Sequence, residues 1–425
     1  MHMAQAEAPP AGCRQPAGDK VPSTYRQVLA VPEFRAVFAA QVLATLGNVT
    51  VQITLSVMVY ERTRSPLLSA LTFAAGFAPY LLGATLLSAV ADRYPSRAVQ
   101  VACQLASCGA AALMTAPELP VPALLVLLLV PGTVAPVFQG SRAASLPDIL
   151  PGPGFALGRS LLRLVSQSAQ IAGYAVGGLL LLALTPAQAL LTAAGAFGCA
   201  ALLLRVGSPY RPGRTAAGGQ GSLARASLAG SGRVLAVPGL RPLLLLTWLP
   251  PVFAVAPEGL ISPYVGQLRG GTAAIGLLLC AAPAGSVAGE LLAGTALSPR
   301  TRVRLVIPAA AVMFVPLLGF AAGPGIWTAA GLLAACGLGF AYTIGLDQRV
   351  LDATPEALRA QVFTLTTAGL MVGQGIGFAA AGAVAEILPV HLVIAGAGIL
   401  GLASLALART NRQGNKGEGE PSKFE

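Results

Sequence analysis

Three glutamates interrupt long apolar stretches of this sequence, and a carboxyl group in such a setting can do proton chemistry. They are Glu258, Glu290 and Glu386. A carboxyl group inside a bilayer is costly unless it is protonated, paired or hydrated. It can hold a proton while it is screened from water and release the proton when water reaches it from the other side. Glu290 and Glu258 are therefore our candidates for coupling proton movement to a second process.

Each acid has an alternative interpretation. Glu290 equally suits the binding of a cationic group of a substrate, because it lies deep in its apolar run. Glu258 suits the hydrated mouth of a pathway, since it lies near the predicted outer end of its segment. Glu386, close to His391, is typical of an interfacial residue whose charged end reaches water.

Polar side chains recur at helical spacing in two of the apolar stretches. The first stretch places four on one helical face: Gln41, Thr45, Asn48 and Gln52. The second does the same with Arg163, Gln167, Gln170 and Tyr174. Amides and hydroxyls on such a face can orient a substrate by hydrogen bonds. They can equally bond one another between helices, at about 0.6 kcal/mol each, and both interpretations stay open.

The elements that position these residues belong to a membrane protein. Of 425 residues, 55% are hydrophobic and only 10% are charged, against roughly 25% charged in soluble domains. A bilayer core of about 30 Å needs roughly 20 apolar residues per helix, so residues 34–408 accommodate about twelve spans. We predict an all-α integral membrane fold with twelve transmembrane helices. The approximate spans are 36–60, 66–91, 98–116, 121–143, 159–184, 187–205, 240–262, 273–297, 304–322, 326–346, 361–387 and 390–408.

The basic residues predict the orientation of these spans. All 27 Lys and Arg residues except Arg62, Arg64 and Arg269 fall on one side, which the positive-inside rule makes cytoplasmic. The net charge of +11 therefore indicates topology and not a nucleic-acid partner. The predicted order is a largely disordered cytoplasmic tail (1–33), a six-helix bundle (34–206), a basic cytoplasmic linker (207–238), a second bundle (239–408) and a cytoplasmic tail (409–425).

The two halves echo each other at an offset of 204 residues. The matched pairs are Pro151 with Pro355, Gln170 with Gln374, Gly173 with Gly377, and Gly178 with Gly382. They fall in or just before the fifth and eleventh spans, which occupy equivalent positions in two six-helix bundles. This pattern is typical of a parallel internal repeat, as in a large class of transporters.

The loop between the second and third spans carries a family resemblance. At Asp92, Arg93 and Arg97 it resembles the Major Facilitator Superfamily signature Gly-x-x-x-Asp-Arg-x-Gly-Arg-Arg, from which it departs at Ser88, Pro95 and Ser96. A carboxylate and two guanidiniums at helix ends can bridge helices in one state and separate in another. A simple stop-transfer charge cluster is the alternative. Residues 139–148 and 355–363 look like the corresponding segments of bacterial siderophore and drug exporters of that superfamily.

Glycines at four-residue spacing predict close helix contacts. Residues 173–178 resemble the antiporter signature Gly-Pro-x-x-Gly-Gly, with Tyr174 in place of proline. Gly173 and Gly177 equally fit a Gly-x-x-x-Gly contact, which lets two backbones approach. Gly369, Gly373 and Gly377 repeat the spacing.

The resemblance implies two pseudo-symmetric bundles around a central pathway. In that family spans one, four, seven and ten line the pathway, with five and eleven contributing. The substrate-pathway residues it implies are Asn48, Gln52, Thr45, Gln167, Gln170, Tyr174 and Gln374. We expect proton-coupled efflux of a small amphipathic molecule by alternating access. The alternatives are a nutrient importer or facilitator of the same fold and a membrane sensor without transport.

Several kinds of chemistry lack their residues. None of the three lysines ends a Gly-x-x-x-x-Gly-Lys loop, no cluster has metal-ligand spacing, and no catalytic triad is recognisable. We expect no enzyme activity, no metal and no cofactor, with a proton gradient as the energy source. The expected partners are the lipid bilayer and a small-molecule substrate, and the transport unit is expected to be a monomer. Abundant Ala, Gly, Pro and Arg suggest a bacterial plasma membrane.

Overall fold

A computed structural model describes residues 25–77, 94–150, 153–210, 237, 239–355 and 358–417. Within these ranges the chain is helical and contains no strand. Asp92 and Arg93 of the predicted signature, and most of the predicted linker, lie outside the described residues. Arg97, the third residue of the signature, is described.

The first half of the chain contributes seven described helices. They are α1 (Tyr25–Ala30), α2 (Pro32–Thr63), α3 (Pro66–Phe77), α4 (Ser96–Leu113), α5 (Val121–Ile149), α6 (Pro153–Ala183) and α7 (Pro186–Gly207). Local sequence explains where some of them begin. In α7, Pro186 occupies the start of the helix and Thr185 caps it, in a reciprocal capping box with Gln188.

The second half contributes nine described helices. They are α8 (Leu240–Ala254), α9 (Ala256–Gln267), α10 (Thr272–Ala296), α11 (Pro299–Arg304), α12 (Val306–Leu318), α13 (Ile326–Leu338), α14 (Tyr342–Ala353), α15 (Arg359–Val384) and α16 (Val390–Gly417). The seventh predicted span is divided between α8 and α9 at Val255. Pro250 and Pro251 precede this break and Pro257 follows it. Proline lacks the amide hydrogen that helix continuation needs.

Each of the twelve predicted spans has a helix in the structure. Eight helical segments are long and apolar enough to cross a membrane, and Pro66–Phe77, Val306–Ala322 and Val390–Ala406 are shorter apolar helices. The twelfth is α4. These helices confirm the predicted all-α membrane fold. Several bounds differ from the prediction: α2 begins within the predicted N-terminal tail, and α16 continues to Gly417 beyond the predicted limit at 408.

The helices alternate in direction, so their connections gather at two ends of the molecule. We call the end that carries residues 64–65, 114–120, 184–185, 268–271, 319–325 and 385–389 the tight end. We call the end that carries residues 94–95, 208–210, 297–298 and 354–355 the basic end, because most described arginines lie towards it. There the side chain of Arg302 donates to the carbonyls of Ala293, Gly294 and Leu297, the last turn of α10 and the residue after it.

The two halves contact each other mainly towards the tight end. α6 packs against α10, and α3 packs against α15 and α9. One buried apolar cluster combines residues of both halves, whereas a second cluster, around Phe34 and Leu146 towards the basic end, contains first-half residues only. A buried hydroxyl contact also crosses between the halves: Ser56 Oγ lies 2.8 Å from Ser262 Oγ and 3.0 Å from Ser69 Oγ.

The offset of 204 residues relates contacts as well as sequence. A Cβ atom built on Gly178 of α6 lies 2.6 Å from the Cα atom of Gly276 in α10. A Cβ atom built on its repeat mate, Gly382 of α15, lies 2.9 Å from the Cα atom of Leu67 in α3. Because α3 and α10 are the second spans of their halves, the two glycines make equivalent contacts across the molecule.

Candidate functional site

The polar face of α6 meets the carboxylate of α9 between the two halves. Gln170 Nε2 donates a hydrogen bond of 3.3 Å to the hydroxyl oxygen of Tyr174, and the Tyr174 hydroxyl donates to Glu258 Oε1. Tyr174 is fully buried and Glu258 is half-buried. We call these three residues the Glu258 cluster. It joins two predicted pathway residues to one of the two predicted coupling acids.

The helix break at Val255 positions Glu258. Because α9 starts anew at Ala256, Glu258 falls in the first turn of a helix. Backbone N–H groups without helical partners point outward there, and the helix dipole favours negative charge. Prolines around the break therefore place a carboxyl group partway along a membrane span, in the first turn of a helix. The prediction of a hydrated pathway mouth did not anticipate its bond to Tyr174.

An aromatic layer lies beside the Glu258 cluster. A Cβ atom built on Gly259 lies 2.8 Å from the ring of Phe378. The ring centroid of Phe378 lies 5.5 Å from those of Phe73 and Phe77. Gly259 therefore allows the start of α9 to approach this layer, which α3 and α15 supply from opposite halves.

The remaining predicted pathway residues divide into two groups by exposure. Asn48 and Gln167 are exposed, and Gln52 and Gln374 are half-buried. Gln52 Nε2 lies 3.7 Å from a Cβ atom built on Gly76, next to the aromatic layer. None of these four side chains is fully buried. Their roles in binding stay a prediction.

The first residues of the α2 stripe make interhelical contacts instead. Gln41 Nε2 donates to Thr45 Oγ1 and to Ser166 Oγ, both at 3.1 Å. Arg142 of α5 donates to Gln41 Oε1. In this part of the stripe the structure places the groups as hydrogen-bonded contacts between α2, α5 and α6.

Arg142 contacts the α2 stripe but is not among the predicted site residues. The predicted fourth span ends at 143, which places Arg142 at its last turn, next to a connecting loop. The helix instead continues to Ile149, which places Arg142 inside it, with its guanidinium 6.0 Å from the ring centroid of Phe138. The signal in the sequence is the stretch 141–146, which contains neither glycine nor proline and so favours continuation of the helix past 143.

Glu290 lies apart from the Glu258 cluster. It is half-buried on α10. On this helix Gly276 marks the level of the cluster, because it packs against Gly178, one turn from Tyr174. Glu290 lies fourteen residues after Gly276, about 21 Å along the helix at 1.5 Å per residue. Its neighbour Gly289 packs against the backbone of Leu338 in α13. The structure therefore places the two predicted coupling acids at different depths, with Glu290 nearer the basic end.

The predicted packing glycines all lie at helix contacts. Gly173 and Gly177 face Val49 and Ile53 of α2. Gly369 faces Trp248, whose Nε1 donates to the Thr366 carbonyl at 3.1 Å. Both Gly373 and Gly377 face Val252 of α8. The glycines of α6 and α15 thus pack against the first spans of their respective halves.

Arg97 holds the exit of α7. Its Nη1 donates to the carbonyl of Ser208 at 3.2 Å, and its guanidinium lies 5.7 Å from the ring centroid of Tyr210. The predicted gate residue thus contacts the first residues of the chain segment that joins the halves. Among the described residues, no group of three His, Cys, Asp or Glu could hold a metal ion.

Comparison with known proteins identifies the family. The sequence profile of the Major Facilitator Superfamily matches residues 37–350. The chain belongs to the Major Facilitator Superfamily. This match confirms the predicted family. No curated protein sequence matches the chain.

Solved structures of superfamily transporters share the fold. A bacterial homolog of the human lysosomal transporter Spinster, in an inward-facing and unoccupied conformation, has a TM-score of 0.66 and 14% identity, and the match covers 95% of this chain and 100% of that one. The nucleoside transporter NupG has a TM-score of 0.63 and 16% identity, and the match covers 90% of this chain and 100% of that one. A bacterial homologue of the iron transporter ferroportin, in an inward-facing state, has a TM-score of 0.65 and 14% identity, and the match covers 90% of this chain and 98% of that one.

Family and fold together establish the general activity. The protein is a multi-pass membrane transporter of the secondary type, and its family indicates transport and not enzymatic chemistry. In this Major Facilitator Superfamily protein, the hydrogen bond from Tyr174 to Glu258 joins the two halves inside the membrane spans.

Proposed function

We propose that the protein exports a small amphipathic molecule from a bacterial cell in exchange for protons. The observation that carries the proposal is the hydrogen bond from Tyr174 to Glu258. It joins the two halves that must move relative to each other in alternating access. A proton on this carboxyl group changes the contact between the halves, so proton occupancy and conformation are coupled.

The exposed polar residues support a pathway that leads to the basic end. Asn48 and Gln167 are exposed, whereas the contacts between the halves gather at the tight end. Because basic residues favour the cytoplasmic side, we assign the basic end to the cytoplasm, together with both chain termini. The proposed pathway then receives its substrate from the cytoplasm and leads towards the Glu258 cluster.

The surroundings of the cluster favour a neutral or cationic amphiphile. Amide groups at Asn48, Gln52 and Gln374 offer hydrogen bonds, and the ring of Phe77, which is not fully buried, offers apolar contact. We assign the coupling role first to Glu258, because its bond crosses between the halves. Glu290 is the second candidate, nearer to the cytoplasm. The proton gradient supplies the energy without a cofactor, and one chain forms the transport unit.

Transport in proteoliposomes tests this proposal. With ethidium as a cationic amphiphilic probe, we expect probe-dependent proton movement in the parent protein and at least a tenfold loss in Glu258→Gln, with probe binding retained. Glu61→Gln, which changes an exposed acid, is the matched control and should couple normally. Unchanged coupling in Glu258→Gln would contradict the role of Glu258.

The same assay separates the alternatives. Probe movement without proton movement indicates a facilitator, and uptake driven in the opposite direction indicates a nutrient importer. Ligand binding without flux indicates a sensor. Each of these results would overturn proton-coupled export.

A further inference from the structure

A carboxylate from one half caps a helix of the other half at the tight end. Glu386 follows the end of α15, and its Oε1 accepts hydrogen bonds from the Ser65 hydroxyl and from the backbone N–H of Leu67, the latter at 3.0 Å. Ser65 Oγ also accepts from the N–H of Leu68 at 3.1 Å. Ser65 thus caps α3 from its own half, and Glu386 caps it from the other half.

The backbone around this contact is closely packed. A Cβ atom built on Gly382, one turn before Glu386, lies 2.8 Å from Ala70 Cβ and 3.3 Å from the carbonyl oxygen of Pro66. Gly382 therefore brings the end of α15 directly against the start of α3. This close approach lets the carboxylate of Glu386 reach the backbone N–H of Leu67 in the first turn of α3.

The internal repeat shows that this cap is specific to one flank of the molecule. At an offset of 204 residues, Glu386 corresponds to Leu182 of α6, an exposed apolar residue. The flank formed by α6 and α10 has the equivalent contact between glycines, Gly178 with Gly276. The close approach of helices is thus common to both flanks, whereas a carboxylate at this position occurs only at the α3–α15 flank.

We propose that Glu386 holds the tight end closed, and that its release from Ser65 and Leu67 opens the pathway at that end. Hydrogen bonds to a carboxylate at a helix N-terminus are charge-assisted and strong. Glu386 is also exposed, so water can take over its hydrogen bonds after release. Ser65 remains as the cap of α3. The contact is therefore strong when made and exchangeable with water when broken.

This inference rests on alternating access, as in the proposed function, and a conformational measurement tests it directly. Spin labels on Ala116→Cys and Ala321→Cys, both exposed at the tight end in opposite halves, report the separation of the halves in lipid nanodiscs. The six native cysteines are first replaced. We compare this background with Glu386→Gln, Ser65→Ala, the double variant, and Glu61→Gln as the matched control.

We expect Glu386→Gln to raise the ratio of open to closed populations about fivefold, which corresponds to weakening charge-assisted hydrogen bonds. Ser65→Ala removes one of the two hydrogen bonds to Glu386 and should shift the ratio in the same direction. Its effect should be smaller in the Glu386→Gln background, because both changes weaken the Ser65–Glu386 contact. Glu61→Gln should leave the distances unchanged. Equal distance distributions in Glu386→Gln and the background would overturn the proposal.

The transport assay keeps the two proposals apart. If Glu386→Gln opens the tight end while the parent protein shows no coupled proton movement, the role of Glu386 stands and proton-coupled export fails. If coupling requires Glu258 but Glu386→Gln leaves the distances unchanged, export stands and the role of Glu386 fails.

Discussion

Gly178 of α6 and Gly276 of α10 pack backbone against backbone across the two halves. A Cβ atom on Gly178 would lie 2.6 Å from Gly276 Cα and 3.0 Å from the carbonyl oxygen of Thr272. No flexible side chain lies there to move aside. The closed tight end therefore depends on the absence of side chains at these two positions.

Replacing Gly178 by alanine should destabilise the folded transporter. The added methyl group forces α6 and α10 apart, and overpacking of this kind costs about 1–3 kcal/mol. Thermal unfolding in detergent measures the effect as a lower melting midpoint. Gly195→Ala is the control, because a Cβ atom there meets nothing within 4 Å. A melting midpoint of Gly178→Ala equal to that of the parent contradicts the contact.

Removing the hydroxyl of Tyr174 should disable coupling without disturbing the fold. Tyr174→Phe keeps the ring but loses a hydrogen bond to a carboxylate, a kind of bond that contributes about 1.5–3 kcal/mol. We expect at least a tenfold loss of probe-dependent proton movement, and less than a further twofold loss when it is combined with Glu258→Gln. Exposed Tyr94→Phe should behave as the parent does. Additive losses in the double variant would show that the two residues act separately.

The two parts of the α2 stripe should respond differently to substitution. Gln41→Leu leaves Arg142 without one of its partners inside the protein and should lower stability by about 1–3 kcal/mol. Asn48→Leu changes an exposed position, so its effect on stability should stay within about 0.5 kcal/mol while affinity for the probe falls. Melting midpoints and equilibrium binding measure both variants. The opposite pattern would assign binding to Gln41 and packing to Asn48.

Loss of Arg97 should loosen the start of the segment between the halves. Its contacts with Ser208 and Tyr210 are partly exposed, and a cation–π contact at such a site contributes about 0.5–1 kcal/mol. We expect trypsin to cleave after Arg214 severalfold faster in Arg97→Gln. Exposed Arg205→Gln serves as the control. Equal cleavage rates in both variants would show that Arg97 does not hold this segment.

The helices were predictable because their causes are local. A run of about 20 apolar residues must satisfy its own backbone hydrogen bonds in lipid, and residues such as Thr185 and Pro186 mark a start. Helix ends were less predictable, because hydropathy reports where lipid ends and not where the helix ends. The helix α16 illustrates this, since it continues into polar sequence as far as Gly417.

Contacts within the candidate site were only partly predictable. Spacing predicts that Gln170 and Tyr174 share a face, since residues four apart are neighbours on a helix. It cannot identify Glu258 as the partner of Tyr174, because 84 residues separate them. The same applies to Glu386 and Ser65, which are 321 residues apart. Such pairs depend on how whole helices pack, which local patterns do not encode.

Three buried serine hydroxyls meet where the two halves touch, and two of them belong to the same half. Ser56 and Ser69 both belong to the first half, and only Ser262 belongs to the second. When the halves separate, Ser56 and Ser69 can stay hydrogen-bonded to each other, and only the uncharged hydroxyl of Ser262 has to be rehydrated. Separation of this serine contact therefore breaks one neutral hydrogen bond and leaves no charge among these three residues to be rehydrated.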